Sequence, residues 1–274
     1  MIGLLKRIVR GIVGVARSAP AQIPVYVPVL QSELLKDRTA LITGGSGGIG
    51  YAIADAFLRA GAKVIISGRN KEKLDEAASR LSSKGNVLRV QMDNTKPTSF
   101  GAILSEMDTF DILVNNAGYV GGRAFGGTAE TEYDAVLDTN LKGAYFLSQE
   151  VSRRWIENGT HGNILNVCSA SSLRPGDSPY ILSKWGMRSL TVGMAKRLIK
   201  HSIVVNGIAP GVTNTEHFTH GGENIDKSSN PSGRMVTKEE IANMAVILVS
   251  PLCRMVVGDI LYMTGGGGIV TIDD

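Results

Sequence analysis

Cysteine is almost missing from this chain. Cys168 and Cys253 are the only two in 274 residues, which excludes a disulfide framework and makes a reducing, intracellular compartment the expectation. No run of apolar residues approaches the roughly 18 that a membrane-spanning helix needs. Histidine is scarce, and His161, His201, His217 and His220 show no metal-ligand spacing. His217 and His220, three apart, sit in a stretch rich in Gly, Ser and Asn and read as solvated loop residues, so no metal is expected. Acidic residues are absent before Glu33, where Lys6, Arg7, Arg10 and Arg17 are the only charges. Taking those four from the 29 Lys and Arg leaves 25, against 25 Asp and Glu. The net charge of +4 therefore belongs to the N-terminal segment, and the neutral body gives no electrostatic case for nucleic-acid binding. Proline is sparse, with nine residues against 33 glycines, a balance that suits many tight turns better than disorder.

What is present divides at about residue 36. In the first 17 residues Leu5, Ile8, Val9, Ile12, Val13 and Ala16 recur at helical spacing with the four cations on the other side. Pro20, Pro24 and Pro28 then favour an extended connector. Such a basic amphipathic helix can lie in a membrane interface, pack on the same protein or a sister subunit, or serve as a cleavable transit peptide. The expected location is cytoplasmic, peripheral to a membrane if the first reading holds.

From Asp37 apolar runs alternate with helical patterns. Strands are expected at Thr39–Ile42, Lys63–Ser67, Val87–Gln91, Ile112–Val114, Asn163–Val167, Ile203–Ile208 and Asp259–Met263. Helices are expected at Ile49–Ala60, Lys71–Lys84, Pro97–Met107, Glu130–Glu157, Pro179–His201 and Lys238–Val249. Seven strands interleaved with six helices imply an α/β fold, a doubly wound, Rossmann-type parallel sheet with helices on both faces, in one domain over residues 37–274. A polar stretch over about 214–236 is the one long loop, of a length usually reserved for function.

Two ends of this fold carry chemistry. At the first, Thr43-Gly44-Gly45-Ser46-Gly47-Gly48-Ile49-Gly50 lies where a strand turns into a helix. Missing side chains there let a pyrophosphate approach the backbone amides, and the helix N-terminus offers its positive dipole end. Gly44, Ser46, Gly47, Gly48 and Ile49 are the expected phosphate contacts. No acid occurs between Asp55 and Glu72 to bond a ribose 2′-OH, whereas Arg69, with Ser67 beside it, could pair with a 2′-phosphate. NADP(H) is therefore preferred over NAD(H). Asp93, followed by Asn94, could accept from the adenine amino group, and Asn116, Ala117 and Gly118 could both brace the sheet and line the cofactor.

At the second end, Tyr180 and Lys184 are four apart in a helical segment and share one face. A phenol is a poor proton shuttle near neutrality, and a neighbouring ammonium stabilises its phenolate. Tyr180 would then exchange a proton with a carbonyl oxygen that Ser169 also bonds, with Ser171 as the alternative. Asn140 could hold a water that resupplies Lys184.

Thr-Gly-x-x-x-Gly-Ile-Gly at 43–50, Asn-Asn-Ala-Gly at 115–118, Asn140, Ser169, Tyr180-x-x-x-Lys184 and Pro210-Gly211 together resemble the short-chain dehydrogenase/reductase family, classical type. The resemblance runs from about Asp37 to the C-terminus. It implies that Asn140, Ser169, Tyr180 and Lys184 are the catalytic set and that Pro210, Gly211, Val212 and Thr213 pack on the nicotinamide. It implies a substrate lid in the loop that follows. It also implies a homotetramer or homodimer through the helix containing Gly186 and Met187. The expected activity is hydride transfer between NADP(H) and a carbonyl or secondary alcohol of a small molecule. The alternative is a nucleotide-binding regulator or scaffold that kept the fold without turnover. Three departures stand out. The Ser169–Tyr180 interval is short, the glycine turn also fits the Gly44, Gly47, Gly50 spacing of the extended branch, and Thr264-Gly265-Gly266 replaces a more usual Asp-Gly-Gly.

Overall fold

Strand β1, Thr39–Thr43, shows why the sheet lies in the middle of the molecule: Ala40, Leu41 and Ile42 are all fully buried, so both faces of the strand are covered. The computed structural model describes residues 31–215 and 230–268. The expected helix over 1–17, the proline connector up to residue 30 and most of the lid, with His217 and His220, lie outside the described residues. The remaining strands are β2 (Lys63–Gly68), β3 (Val87–Gln91), β4 (Ile112–Asn115), β5 (Asn163–Val167), β6 (Val204–Pro210), β7 (Thr213–Asn214), β8 (Val236–Thr237) and β9 (Ile260–Met263). Seven of them form one parallel sheet in the order β3-β2-β1-β4-β5-β6-β9. This is the expected doubly wound sheet.

Alternate residues of each central strand feed two cores. Ala40, Ile42, Val64, Ile66, Val114 and Leu165 pack beneath α1 (Gly48–Arg59), α2 (Lys71–Leu81) and α7 (Lys238–Val249). Leu41, Ile65, Leu113, Ile164 and Val205 pack beneath α3 (Phe100–Ser105), α5 (Gly143–Asn158) and the end of α6 (Pro179–Leu198). Helix α4 (Glu130–Leu137) runs ahead of α5.

Local chemistry sets the helix starts. Asn70 caps α2 by accepting from Lys73 N, and Ser178 with Pro179 opens α6. Thr237 and Glu240 form a reciprocal capping box on α7.

The structure corrects several boundaries. The long helix expected over Glu130–Glu157 is interrupted by a π-helical turn at Asp138–Lys142, where hydrogen bonding shifts by one residue. The helix expected over Pro97–Met107 is a 3-10 turn followed by the six residues of α3, and α2 ends at Leu81 rather than Lys84. The long loop is pinched at its base, because β7 and β8 pair in parallel. Ahead of Asp37, Leu34 and Leu35 are buried in the core, and Leu35 N donates to Ala60 O.

Candidate active site

Strands β1 and β4 are neighbours whose onward connections diverge, β1 leading to β2 on one side and β4 to β5 on the other. Their C-terminal ends therefore leave a crevice, the usual ligand position in an open α/β sheet. The chain turns out of β1 at Gly44, whose φ of +65° suits glycine, and enters α1. Thr43 and Asn116 hold this turn to β4. The Thr43 hydroxyl donates to Val114 O and accepts from the Asn116 and Ala117 amides, while Asn116 Nδ2 donates to Thr43 O at 2.8 Å and Gly44 O at 3.2 Å. A Cβ at Gly50 would collide with Asn116 Nδ2 and Gly44 O, so the brace requires glycine there.

Towards the crevice the turn is open. A Cβ at Gly47 would meet nothing within 4 Å, and one at Gly48 would reach only Thr215 Cγ2, at 4.0 Å. Helix α1 has no side-chain N-cap, so its first amides are left for a ligand. An empty cradle with free amides fits the pyrophosphate of a dinucleotide.

Helix α6 brings in the second group. Lys184 is buried, its Nζ donating to Val167 O at 2.9 Å at the end of β5 and lying 5.8 Å from the Tyr180 ring centre. The half-buried Tyr180 lines the same crevice, and its hydroxyl has no hydrogen-bond partner among the described residues. Ser169, just past β5, is buried, and its Oγ accepts from Ser171 N at 3.1 Å. Ser169 and Ser171 both line the crevice. The interval to Tyr180 contains the 3-10 turn Ala170–Leu173.

Asn140 sits on the π turn with its amide committed. Oδ1 accepts from Tyr119 N at 2.7 Å, and Nδ2 donates to Tyr119 O and to Ser183 Oγ, each at 3.0 Å. Ser183 in turn donates to Tyr180 O. With both amide protons engaged, Asn140 clamps the loop after β4 to the first turns of α6. A water bridging to Lys184 would have to use its main chain or the remaining lone pair of Oδ1.

Gly44, Gly47, Gly48, Ile49, Asn116, Ala117, Gly118, Ser169, Tyr180, Lys184 and the Pro210–Thr213 segment all border one cleft of about 960 Å³. Ser46, Ser67, Arg69, Asp93, Asn94 and Asn140 do not border it. Arg69 is exposed beyond β2 with no ion pair among the described residues, its backbone held by Gln91 Nε2. The Ser67 hydroxyl is buried without a partner, so it does not face a ligand as the structure stands. Asp93 Oδ1 already accepts from Thr95 N and Oγ1, and Asn94 is buried.

Sequence reading missed Arg174, Tyr119, Val120, Asn230 and the Gly267–Gly268 run, which also border the cleft. Only the run of glycines was a visible signal. Thr264, which stands in place of the more usual acid, is buried against Gly211: a Cβ there would lie 3.1 Å from Thr264 Cα. Cys168 lies beneath the floor, where burial pushes its thiol up in spite of the nearby Lys184 charge, so it offers no nucleophile.

Residues 38–225 match the family model of short chain dehydrogenases. The gluconate 5-dehydrogenase of Gluconobacter oxydans is 35% identical over 244 residues, covering 85% of this chain and 95% of that protein. The 3-oxoacyl-(acyl-carrier-protein) reductase of Aquifex aeolicus is 30% identical over 243 residues, covering 85% and 98%. A gluconate 5-dehydrogenase from Burkholderia cenocepacia, solved in complex with NADP and tartrate, superposes with a TM-score of 0.80 at 30% identity, covering 88% of this chain and 99% of that one. With the crevice geometry above, these matches make the chain an oxidoreductase and a member of the short-chain dehydrogenase/reductase family.

Proposed function

We propose that the protein transfers hydride between NADP(H) and the carbonyl or secondary alcohol of a small polar substrate, with Tyr180 as general acid and base. The observation that carries this reading is the meeting of Tyr180, Lys184 and Ser169 with the open glycine turn on one cleft. A bound nicotinamide supplies or accepts the hydride. The Tyr180 hydroxyl, without a hydrogen-bond partner among the described residues, gives its proton to the substrate oxygen as the carbonyl is reduced, and takes it back in the reverse direction. The Lys184 ammonium stabilises the phenolate that remains. Ser169 donates to the same oxygen and holds it in line. Asn140 keeps the first turns of α6 in register through Tyr119 and Ser183.

Support for NADP over NAD comes from the absence of an acid between Asp55 and Glu72, from Arg69, which makes no ion pair among the described residues, and from the NADP held by the Burkholderia relative. The gluconate relatives support a hydroxy-acid substrate over an apolar one. The test is NADPH oxidation with a panel of ketones and keto acids, using the parent and Tyr180→Phe. Turnover by the parent and its loss in the variant, with NADPH still bound, is the expected result. An inactive parent that still binds NADPH would favour a retired scaffold.

Support for a homo-oligomer comes from α6, which exposes Leu182, Trp185 and Val192 along one stripe, and from α5, which exposes Tyr145 and Phe146 in edge-to-face contact. Helix α6 is the one expected from the resemblance, and its residues Gly186 and Met187 lie on the face turned inward. Met187 is buried in the chain's own core, and a side chain at Gly186 would run into Leu141.

A further inference from the structure

We infer that Arg174 is an anion-recognition residue of the substrate half of the cleft, selecting substrates that carry a carboxylate some bonds away from the reacting carbonyl. This rests on the oxidoreductase reading above and names the class of substrate for that site. The first observation is electrostatic. Among the described residues bordering the cleft, Lys184 and Arg174 are the only ionised side chains, and there is no Asp or Glu. Lys184 is buried and hydrogen-bonded to Val167 O, whereas Arg174 is exposed and makes no ion pair among the described residues, even with Asp177 three residues on. A guanidinium that lines a cleft without a counter-ion favours an anionic ligand, and its planar fork suits a carboxylate.

The second observation is placement. Arg174 follows the turn that begins at Ser169, and its backbone carbonyl accepts at 2.9 Å from Nε1 of Trp185, the residue next to Lys184 on α6. The residue is thus fixed to the elements that carry the catalytic set. A Cβ at Gly268 would lie 3.6 Å from Arg174 Nε, so the guanidinium sits beside a second glycine that borders the cleft.

The third observation sets Arg174 apart from the residues expected to meet the cofactor's phosphates. Arg69 follows β2 and Arg174 follows β5, three strands apart in the sheet order, or about 14 Å at the usual strand spacing. The glycine turn, where the pyrophosphate fits, follows β1, two strands from β5.

The test compares ligands that differ only in charge, using wild type, Arg174→Gln and Arg174→Lys. Gluconate and gluconamide are oxidised with NADP+, levulinate and methyl levulinate are reduced with NADPH, and acetoacetyl-CoA provides an anion whose charge is phosphate. Arg174→Gln should lower kcat/KM for the acids about tenfold or more, through KM, and leave the neutral partners and NADPH binding unchanged. Arg174→Lys should recover part of the loss. Equal losses on acid and neutral partner, or none on either, would overturn the assignment, as would a loss confined to acetoacetyl-CoA. A calorimetric titration of tartrate in the presence of NADP+ needs no turnover. Unchanged tartrate affinity in Arg174→Gln refutes the anion site by itself, whereas an inactive wild type that still loses tartrate affinity on substitution refutes only the activity.

Discussion

Tyr180 and Lys184 were legible as a pair because residues four apart on a helix share a face whatever surrounds them. Replacing Tyr180 by Phe removes the transferable proton and nothing that packs, so kcat should fall by about two to four orders of magnitude while NADPH affinity, read by fluorescence, stays the same. Gly50 was legible as a glycine of the motif but not for its reason. Its hydrogen faces Asn116 Nδ2 and Gly44 O, and Gly50→Ala would push the amide off both carbonyls. That substitution should cost about 1–3 kcal/mol in thermal or denaturant unfolding and weaken NADPH binding with it. Arg69 was legible only by elimination, from the lack of an acid after β2. Arg69→Ala should reduce kcat/KM with NADPH by about tenfold or more and leave NADH nearly untouched, a ratio that steady-state kinetics measures directly. The commitments of Asn140 were not legible at all, since Tyr119 and Ser183 reach it from elements 21 and 43 residues away.

At the scale of elements, periodicity located every strand of the main sheet, because strands covered on both faces are continuous apolar runs bounded by polar turns. It failed where a helix departs from its own geometry. A helical pattern continues through Asp138–Lys142, and only the backbone reveals the π turn that re-aims Asn140. Helix α5 also carries a testable pH dependence. Arg153 and Arg154 hydrogen-bond Glu150 and hold its carboxyl down to about 2, from an ordinary 4.5, and Arg154 also reaches Gly101 O in α3. In the window between those two values the unfolded chain binds the extra proton, so stability rises with pH there. Glu150→Gln should be less stable than wild type above pH 4.5, by at most about 1 kcal/mol for so exposed a pair, and the difference should vanish as pH falls towards 2. Acid-titrated thermal unfolding of the two proteins checks the sign. The glycines after β9 form a further element with a contact of their own: a Cβ at Gly265 would strike Ser232 Oγ, and Ser232 N donates to Gly265 O.

For the whole molecule, the exposed stripe on α6 leads to a prediction about assembly. Val192 is 51% exposed and makes no contribution to the core, so Val192→Asp should lower the mass seen by light scattering and leave the unfolding of the subunit largely intact. An unchanged mass would place any interface elsewhere. The sequence by itself determined the parallel doubly wound sheet, the glycine turn between β1 and α1 and the Tyr180–Lys184 pair, because each rests on contacts or periodicities within a short stretch of chain. Only the tertiary structure decided that Asn140 is a clamp, that Met187 belongs to the core, that β7 and β8 tie the loop at its base, and that Arg174, with no ion pair among the described residues, shares a cleft with Tyr180. The physical reason is distance along the chain: whether a polar side chain is spent on a neighbour or left for a ligand depends on residues that meet it only when the sheet has closed.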